Sequence, residues 1–252
     1  MIIGEGLVFL VILGTGVFYI IRGLRRELRI AKLQGNFLLA VSHELRSPIA
    51  AMKLYMQTLQ KRDLDEEHKE KILADILVNT ERLSDLTDNI MTALRIEDES
   101  LDLQLEEHDL VPITVKLLDV QKRTIGEIHE IKTTMPSEAF AKVDIDAYKS
   151  ILINLFENAV KYTPEGGTIH VNLGSDNETK LVIQDSGAGI DPKEHDQIFR
   201  RFYRAGNEET RSTQGTGLGL YIVSSLCKAM GGRVELSSSL GNGSTFAAIF
   251  RK

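Results

Sequence analysis

The run Ser42-His43-Glu44-Leu45-Arg46-Ser47-Pro48-Ile49 places a nucleophile, a carboxylate and a hydroxyl within about two turns of a helix. A neutral imidazole nitrogen is a competent nucleophile near neutral pH. A neighbouring carboxylate, here Glu44, can accept a hydrogen bond from the other ring nitrogen, which fixes the tautomer and raises basicity. A second set lies far along the chain. Asn154, Asn158 and Lys161 recur at i, i+4 and i+7 and share one helix face. An amide oxygen suits a hard cation such as Mg²⁺, and an ammonium suits phosphate. Alone, three such residues would be read as a solvated face. Asp185-Ser186-Gly187-Ala188-Gly189-Ile190 follows at a strand end, with glycines for close backbone approach and a carboxylate to accept from an amino group. Ile198-Phe199-Arg200-Arg201-Phe202-Tyr203-Arg204 is an apolar anchor with cations. Gly215-Thr216-Gly217-Leu218-Gly219-Leu220 opens a helix, where backbone N–H groups attract phosphate. A polar loop, Ala205–Gln214, precedes these glycines in place of a strand, which disfavours a dinucleotide fingerprint.

The elements that must carry the first set are helical. Leu38, Val41, Leu45, Pro48, Met52, Tyr55 and Leu59 alternate spacings of three and four, the a/d seam of a heptad repeat. After a break at Lys61–Glu67, with Asp63 and Asp65 as candidate N-caps, a second seam runs through Ile72, Ile76, Asn79, Leu83, Leu86, Ile90 and Ala93. Asn79 either fixes register or is a tolerated polar residue. Two such helices make an antiparallel hairpin. Extra apolar residues beside the seam, Leu73, Leu77 and Leu94, predict that two copies join in a dimeric four-helix bundle. With Leu45 at a, His43 falls at f and Ser47 at c, so both face outward, one turn apart. Pro48 in the turn after His43 predicts a bent or loosened helix.

From Leu101 onward, strand-like and helical stretches alternate. Strands are expected over Leu101–Glu106, Glu127–Thr133, Thr168–Leu173, Lys180–Gln184, Arg233–Ser238 and Ser244–Phe250. Helices are expected over Leu110–Arg123, from an Asp146 cap to about Tyr162, and over Gly219–Met230. The sum is an α/β sandwich with helices on one face of a mixed sheet.

The N-terminus differs from both parts. Ile2–Ile21 is almost wholly apolar or glycine, and a bilayer core needs roughly 20 such residues in a helix. Arg22, Arg25, Arg26, Arg29 and Lys32 follow, which predicts a cytoplasmic flank. The expectation is one transmembrane helix at 2–21 and a basic connector at 22–35, in a single-pass protein of the cytoplasmic membrane with the rest of the chain in the cytoplasm.

The box around His43 closely resembles the phosphoacceptor box of sensor histidine kinases. The four later clusters, in one order over Asn154–Leu220, resemble the N, G1, F and G2 boxes of the histidine-kinase ATP-binding domain, a member of the GHKL superfamily. The resemblance runs from Asn36 to the C-terminus. It implies a dimerisation and phosphotransfer domain at 36–97 and a Bergerat-type ATP-binding domain at 101–252. It implies ATP and Mg²⁺, autophosphorylation of His43, and transfer to an Asp of a response regulator receiver domain. Asn158 matches the Mg²⁺ ligand, with Asn154 nearby. Lys161 and Arg204 match phosphate contacts, and Tyr162 and Asp185 adenine-side contacts. Gly187 and Gly189 shape that pocket, while Gly215, Gly217 and Gly219, with Leu220, form the phosphate-side loop. Ala205–Gln214 matches a mobile ATP lid. Ser47 stands where related kinases carry Thr or Asn, whose side chain positions water for removing phosphate from the partner, so phosphatase activity is also implied. Arg200 departs from the usual Glu. His68, His108, His129, His170 and His195 match no box and are read as surface or structural.

Two other readings compete. Gyrase-type GHKL ATPases activate water with a Glu at the position of Asn154, and an Asn is a poor base. A catalytically inactive signalling adaptor would keep the fold without the chemistry. The chain has 252 residues and a formal net charge of −6, which speaks against bulk nucleic-acid binding. Its one cysteine, Cys227, excludes an internal disulfide. Once both domains are counted, one apolar span and a short connector remain, with no space for an extracytoplasmic or HAMP unit. The signal is therefore expected through the membrane helix or a membrane partner, or the chain is the C-terminal part of a longer sensor.

Overall fold

The computed structural model describes residues 2–61, 64–125, 128–205 and 215–252, with side chains from residue 13 onward apart from 26, 29, 30, 61 and 123–125. The expected cap Asp63 and the expected lid beyond Ala205 fall outside these residues, as do the side chains of 2–12 in the expected span.

Helix α1 covers Ile2–Lys61 without a break, so the expected boundaries near 21 and 35 are not turns. It continues through Pro48, although that residue lacks the N–H that would bond the Glu44 carbonyl. Among the described residues, no helix is long and apolar enough to cross a membrane. Leu13, Val17, Phe18, Tyr19, Ile20 and Ile21 are all exposed.

Helix α2 (Glu66–Glu97) folds back on α1. Its start is capped by Asp65, whose carboxylate accepts from the His68 N–H at 2.9 Å. The heptad reading is borne out in the burial except at Leu38, where the expected seam residue is exposed. Val41, Leu45, Met52, Tyr55 and Leu59 are half-buried and Pro48 is buried; on α2, Ile72 through Ile90 of the seam are half-buried and Ala93 is buried. Asn79 donates to the Asp75 carbonyl one turn back, which satisfies its amide within its own helix. Leu38, Leu39, Leu54, Leu73, Leu77, Val78 and Leu94 remain exposed.

The second half is an α/β sandwich. Its main sheet has the order β2-β4-β5-β7-β6, with β2 (Glu130–Thr134), β4 (Thr168–Ser175), β5 (Thr179–Asp185), β6 (Arg233–Ser238) and β7 (Ser244–Phe250). β2 and β4 are parallel and the other pairs antiparallel, so the sheet is mixed as expected. Helices α4 (Ile145–Tyr162) and α5 (Gly219–Ala229) cover one face, and α3 (Leu110–Ile125) packs on α4. Alternate residues of β4 and β5 point inward: Ile169, Val171, Leu173, Leu181 and Ile183 are buried against Ile151, Leu152, Leu155 and Phe156 of α4. Each such side chain stabilises the fold by roughly 1.5–3 kcal/mol. Tyr148, also fully buried, exchanges a hydrogen bond with Thr114 at 2.5 Å, and burial pushes its phenol pKa up. Burial likewise pushes the Cys227 thiol up to about 12, so it stays an unreactive core residue.

Three features differ from the sequence reading. Leu101–Leu105 is not a strand. Leu101, Leu103 and Leu105 pack against the core in alternation, but the ladder begins only at β1 (Glu106–Asp109). The partner of β1 is the short strand β3 (Phe140–Val143), which the sequence pattern did not reveal. Third, α4 is capped by Asp144 and not Asp146. Asp144 has the extended backbone that a cap requires and accepts from the Ala147 N–H at 2.9 Å, whereas Asp146 sits in the first turn and pairs with Lys149.

Candidate functional site

His43 and Ser47 are exposed on the outer face of α1, as the heptad register requires. Glu44 goes the other way. Its side chain is 10% exposed, and its Oε2 accepts from Arg82 Nη2 of α2 at 2.9 Å. The expected bond from the His43 ring to Glu44 is not among the contacts of the described residues. The Arg82 pair gives the reason: it draws the Glu44 carboxylate towards α2 and away from its exposed neighbour.

The nucleotide half assembles around the C-terminal part of α4. Asn154 is only 6% exposed. Its Nδ2 donates to the Ser150 carbonyl at 2.8 Å and to Asn89 Oδ1 of α2 at 3.4 Å. Its Oδ1 abuts Gly219, where an added Cβ would come within 2.7 Å of it. An amide already so engaged is no general base, which removes the gyrase-type reading of this position. Asn158 is half-buried one turn on. Lys161 reaches over to the glycine loop: a Cβ at Gly215 would lie 2.4 Å from its Nζ. α5 begins at Gly219 with no side-chain cap on its first turn, so its leading N–H groups present a phosphate-binding end beside Asn154. Gly217 turns the chain with φ +73°, its Cα packed against the Phe202 and Tyr203 backbone, and its carbonyl accepts from the Phe202 N–H at 3.0 Å. Leu220 is half-buried in the first turn of α5.

Asp185 lies at the end of β5 and is 6% exposed. Its Oδ1 accepts from the Gly187 N–H at 2.8 Å and the Ser244 N–H at 3.2 Å. Burial raises its carboxyl pKa above the ordinary range, and these two N–H bonds oppose that rise. Gly187 is required by contact: a Cβ there would stand 2.3 Å from the Tyr162 carbonyl. Thus the adenine-side segment touches the last residue of α4 directly. The Tyr162 side chain is 45% exposed at that edge. Gly189 packs its Cα against the Ser239 carbonyl. In the F segment, Ile198 and Phe202 are buried, Tyr203 donates to Glu194 at 2.9 Å, Arg200 is exposed and Arg204 is half-buried.

Several contributors lie outside the sequence-predicted set. Phe37 of α1 stacks on Phe202 with centroids 4.1 Å apart, and Arg201 pairs with Glu97 of α2. Asn89 meets Asn154 as described. Glu157, exposed between two predicted residues of α4, has its carboxyl pKa raised by desolvation and by Asp85, while Arg82 and Lys161 oppose the rise. Arg82, Asp85 and Asn89 sit at i, i+3 and i+7 on α2, a stripe the sequence offers only as a polar face. Of the remaining histidines, His68 bonds Asp65, His108 lies beside Glu106, His170 bonds Thr134 and His195 bonds the Ile190 carbonyl. His129 is buried, its Nδ1 without a hydrogen-bond partner among the described residues. No group of three His, Cys, Asp or Glu among the described residues could hold a metal ion.

An outward histidine on a helical hairpin is thus followed in the chain by an α/β sandwich in which the Gly215 and Gly187 turns close on the C-terminal part of α4. Comparison with known proteins gives two family matches. Residues 33–99 match the His Kinase A (phospho-acceptor) domain, and residues 143–252 match the histidine kinase-, DNA gyrase B-, and HSP90-like ATPase. The chain thus carries, in this order, the acceptor domain and the ATPase domain found in histidine kinases. Sensor protein SrrB of Staphylococcus aureus is 31% identical over 239 residues, covering 92% of this chain and 40% of that protein. The chain thus spans about two fifths of the length of the curated relatives it matches. Among solved structures, Acinetobacter baumannii histidine kinase AdeS shares the fold at TM-score 0.58 and 24% identity, covering 83% of this chain and 97% of that one. The mycobacterial sensor histidine kinase MprB aligns at TM-score 0.51 and 26% identity over 58% of this chain and 97% of its own. Full-length ShkA in complex with AMPPNP aligns at TM-score 0.58 and 25% identity over 86% of this chain and 45% of its own.

Proposed function

We propose that the chain is an ATP-dependent protein-histidine kinase that phosphorylates His43 and passes the phosphoryl group to an Asp of a response regulator. The observation that carries this reading is the pairing, in one chain, of an exposed His43 with the Lys161–Gly215 approach and the Asp185–Gly187 turn, both built around the C-terminal part of α4. The Asp185 carboxylate serves the adenine amino group. Lys161 and the uncapped start of α5 serve the phosphates. In the step itself, one ring nitrogen of His43 attacks the γ-phosphorus and the bond to the β-phosphate oxygen breaks. ADP leaves, and the other ring nitrogen passes its proton to the Glu44 carboxylate.

A Mg²⁺ ion fits the residues present. The protein supplies no carboxylate cage among the described residues, so triphosphate oxygens and water would make up most of the shell, with the Asn158 amide oxygen as the protein's ligand. When bound, the ion neutralises phosphate charge. In Asn158→Ala, the gain in ATP affinity on adding Mg²⁺ is expected to vanish, about a tenfold loss. Titration calorimetry with and without Mg²⁺ checks this, and an unchanged gain removes Asn158 from the site.

The kinase is proposed to act as a homodimer. Leu38, Leu54, Leu73, Leu77 and Leu94 are exposed on the hairpin, a surface that a second copy would cover to complete a four-helix bundle. The apolar segment from Ile2 to Ile21 and the basic residues after it support a single-pass membrane location with the two domains in the cytoplasm. Phosphatase activity toward the regulator is assigned to Ser47, exposed one turn from His43. Ser47→Ala is expected to phosphorylate itself normally but to dephosphorylate the regulator about tenfold more slowly. Equal dephosphorylation rates would leave Ser47 a surface residue.

A further inference from the structure

Arg82 lies where the two working parts of the molecule meet. It sits on α2, yet its guanidinium takes the carboxylate of Glu44, the residue beside the acceptor His43. The pair is asymmetric: the Glu44 side chain is 10% exposed and that of Arg82 53%. The carboxylate is therefore nearly enclosed, while the cation stays within reach of other partners. Glu157 of α4 feels the Arg82 charge, and the Asn89–Asn154 bond ties the same stripe of α2 to α4. A nearly buried carboxylate with its charge satisfied does not leave that partner readily, because breaking the pair leaves an uncompensated charge.

We propose that Arg82 is a positioning residue that holds Glu44 in reserve, keeping its carboxylate on α2 and off the His43 ring until the guanidinium turns to the ATP-binding domain. The proposal rests on the reading of His43 as the phosphoacceptor and of Glu44 as the acceptor of its ring proton. Freed from Arg82, the flexible Glu44 side chain can swing to the outer face of α1 and accept from the ring. The pair therefore acts as a brake on the first step and does not contribute to ATP binding.

The test uses the full chain with γ-labelled ATP and Mg²⁺, following initial rates of labelling in Arg82→Gln, Arg82→Lys, Glu44→Gln and the double variant Arg82→Gln/Glu44→Gln. Loss of the brake is expected to raise kcat in Arg82→Gln about tenfold, with KM for ATP unchanged. Arg82→Lys, which keeps a cation beside Glu44, is expected near the wild-type rate. In the double variant the acceleration disappears, because there is no carboxylate left to release. Circular dichroism of each variant shows whether the helices are kept, and a folded Arg82→Gln with a wild-type or lower kcat overturns the brake. An acceleration that survives in the double variant also overturns it, since Glu44 would not be the group released. The underlying readings fail separately. If the wild-type chain is not labelled on His43, the kinase reading falls. If Glu44→Gln labels at the wild-type rate, the role of Glu44 falls, and the reserve with it.

Discussion

His43→Gln is expected to remove all acid-labile, alkali-stable phosphate from the full chain incubated with γ-labelled ATP and Mg²⁺, while ATP binding stays at the wild-type level. The loss is total and not graded, because glutamine has no nucleophilic nitrogen: its amide lone pair is delocalised, whereas the neutral imidazole offers a free one. The fold gives no other reason for loss. His43 is exposed on the outer face of α1, Gln is as good a helix former, and a surface exchange of this kind changes stability by about 0.5 kcal/mol or less. Label that persists in the variant moves the acceptor elsewhere. An unlabelled wild-type chain that still binds ATP supports the inactive adaptor, which keeps the pocket without the chemistry. Acid and alkali stability separate a phosphoramidate from a phosphoester, so the readout names the bond as well as the residue.

What could be read from the residues alone divides along a physical line. Periodic burial is local information, and it came through. The two heptad seams place the half-buried stripe correctly, and from that stripe alone His43 and Ser47 are known to face outward. The β6–β7 hairpin has the expected limits, because alternation and the glycines at Gly241 and Gly243 define both strands and the turn. Leu101–Leu105 shows why alternation is not enough. Its leucines alternate and are partly buried, but a ladder also needs a neighbouring strand, and that partner exists only from Glu106 onward. The exchange of Asp144 for Asp146 is a two-residue error of the kind that helix starts allow, since both residues are acidic and only the backbone angles decide between them. The contacts between the domains were not legible at all. Phe37 and Phe202, Glu97 and Arg201, Asn89 and Asn154 are each far apart in sequence. The residues Arg82, Asp85 and Asn89 have the composition of a helix face turned to water. The direction of Glu44 belongs to the same class: its identity is local, but its partner on α2 is not.

Asp185→Asn is expected to weaken ATP binding about 100-fold without lowering the melting temperature of the unliganded protein, and the two halves of that result have one cause. Asp185 already spends Oδ1 on the Gly187 and Ser244 N–H groups. Asn keeps an oxygen for both, so the close turn at Gly187 survives. The other atom changes from an acceptor to a donor. Facing the amino group of adenine, a donor meets a donor. The exchange therefore loses a hydrogen bond to a charged group, about 1.5–3 kcal/mol, and leaves polar groups unpaired. At about 1.4 kcal/mol per factor of ten, that is roughly two decades in affinity. The folding sign is opposite. Burial raises the pKa of this carboxyl in the native state above its unfolded value, so at neutral pH its charge opposes folding, and the opposition fades as pH falls through the native pKa. A neutral amide removes that opposition. The same shift sets the pH dependence of binding: on acidification the wild-type carboxylate takes up a proton earlier than an ordinary Asp, and its advantage over the amide shrinks. The ratio of wild-type to variant affinity, measured by calorimetry from pH 8 downward, is expected to be largest at the alkaline end and to fall before the ordinary carboxylate range is reached. A ratio that does not change with pH would show that the carboxylate does not meet the adenine as an anion. A variant that melts early would show that Asp185 mainly holds the strand end together.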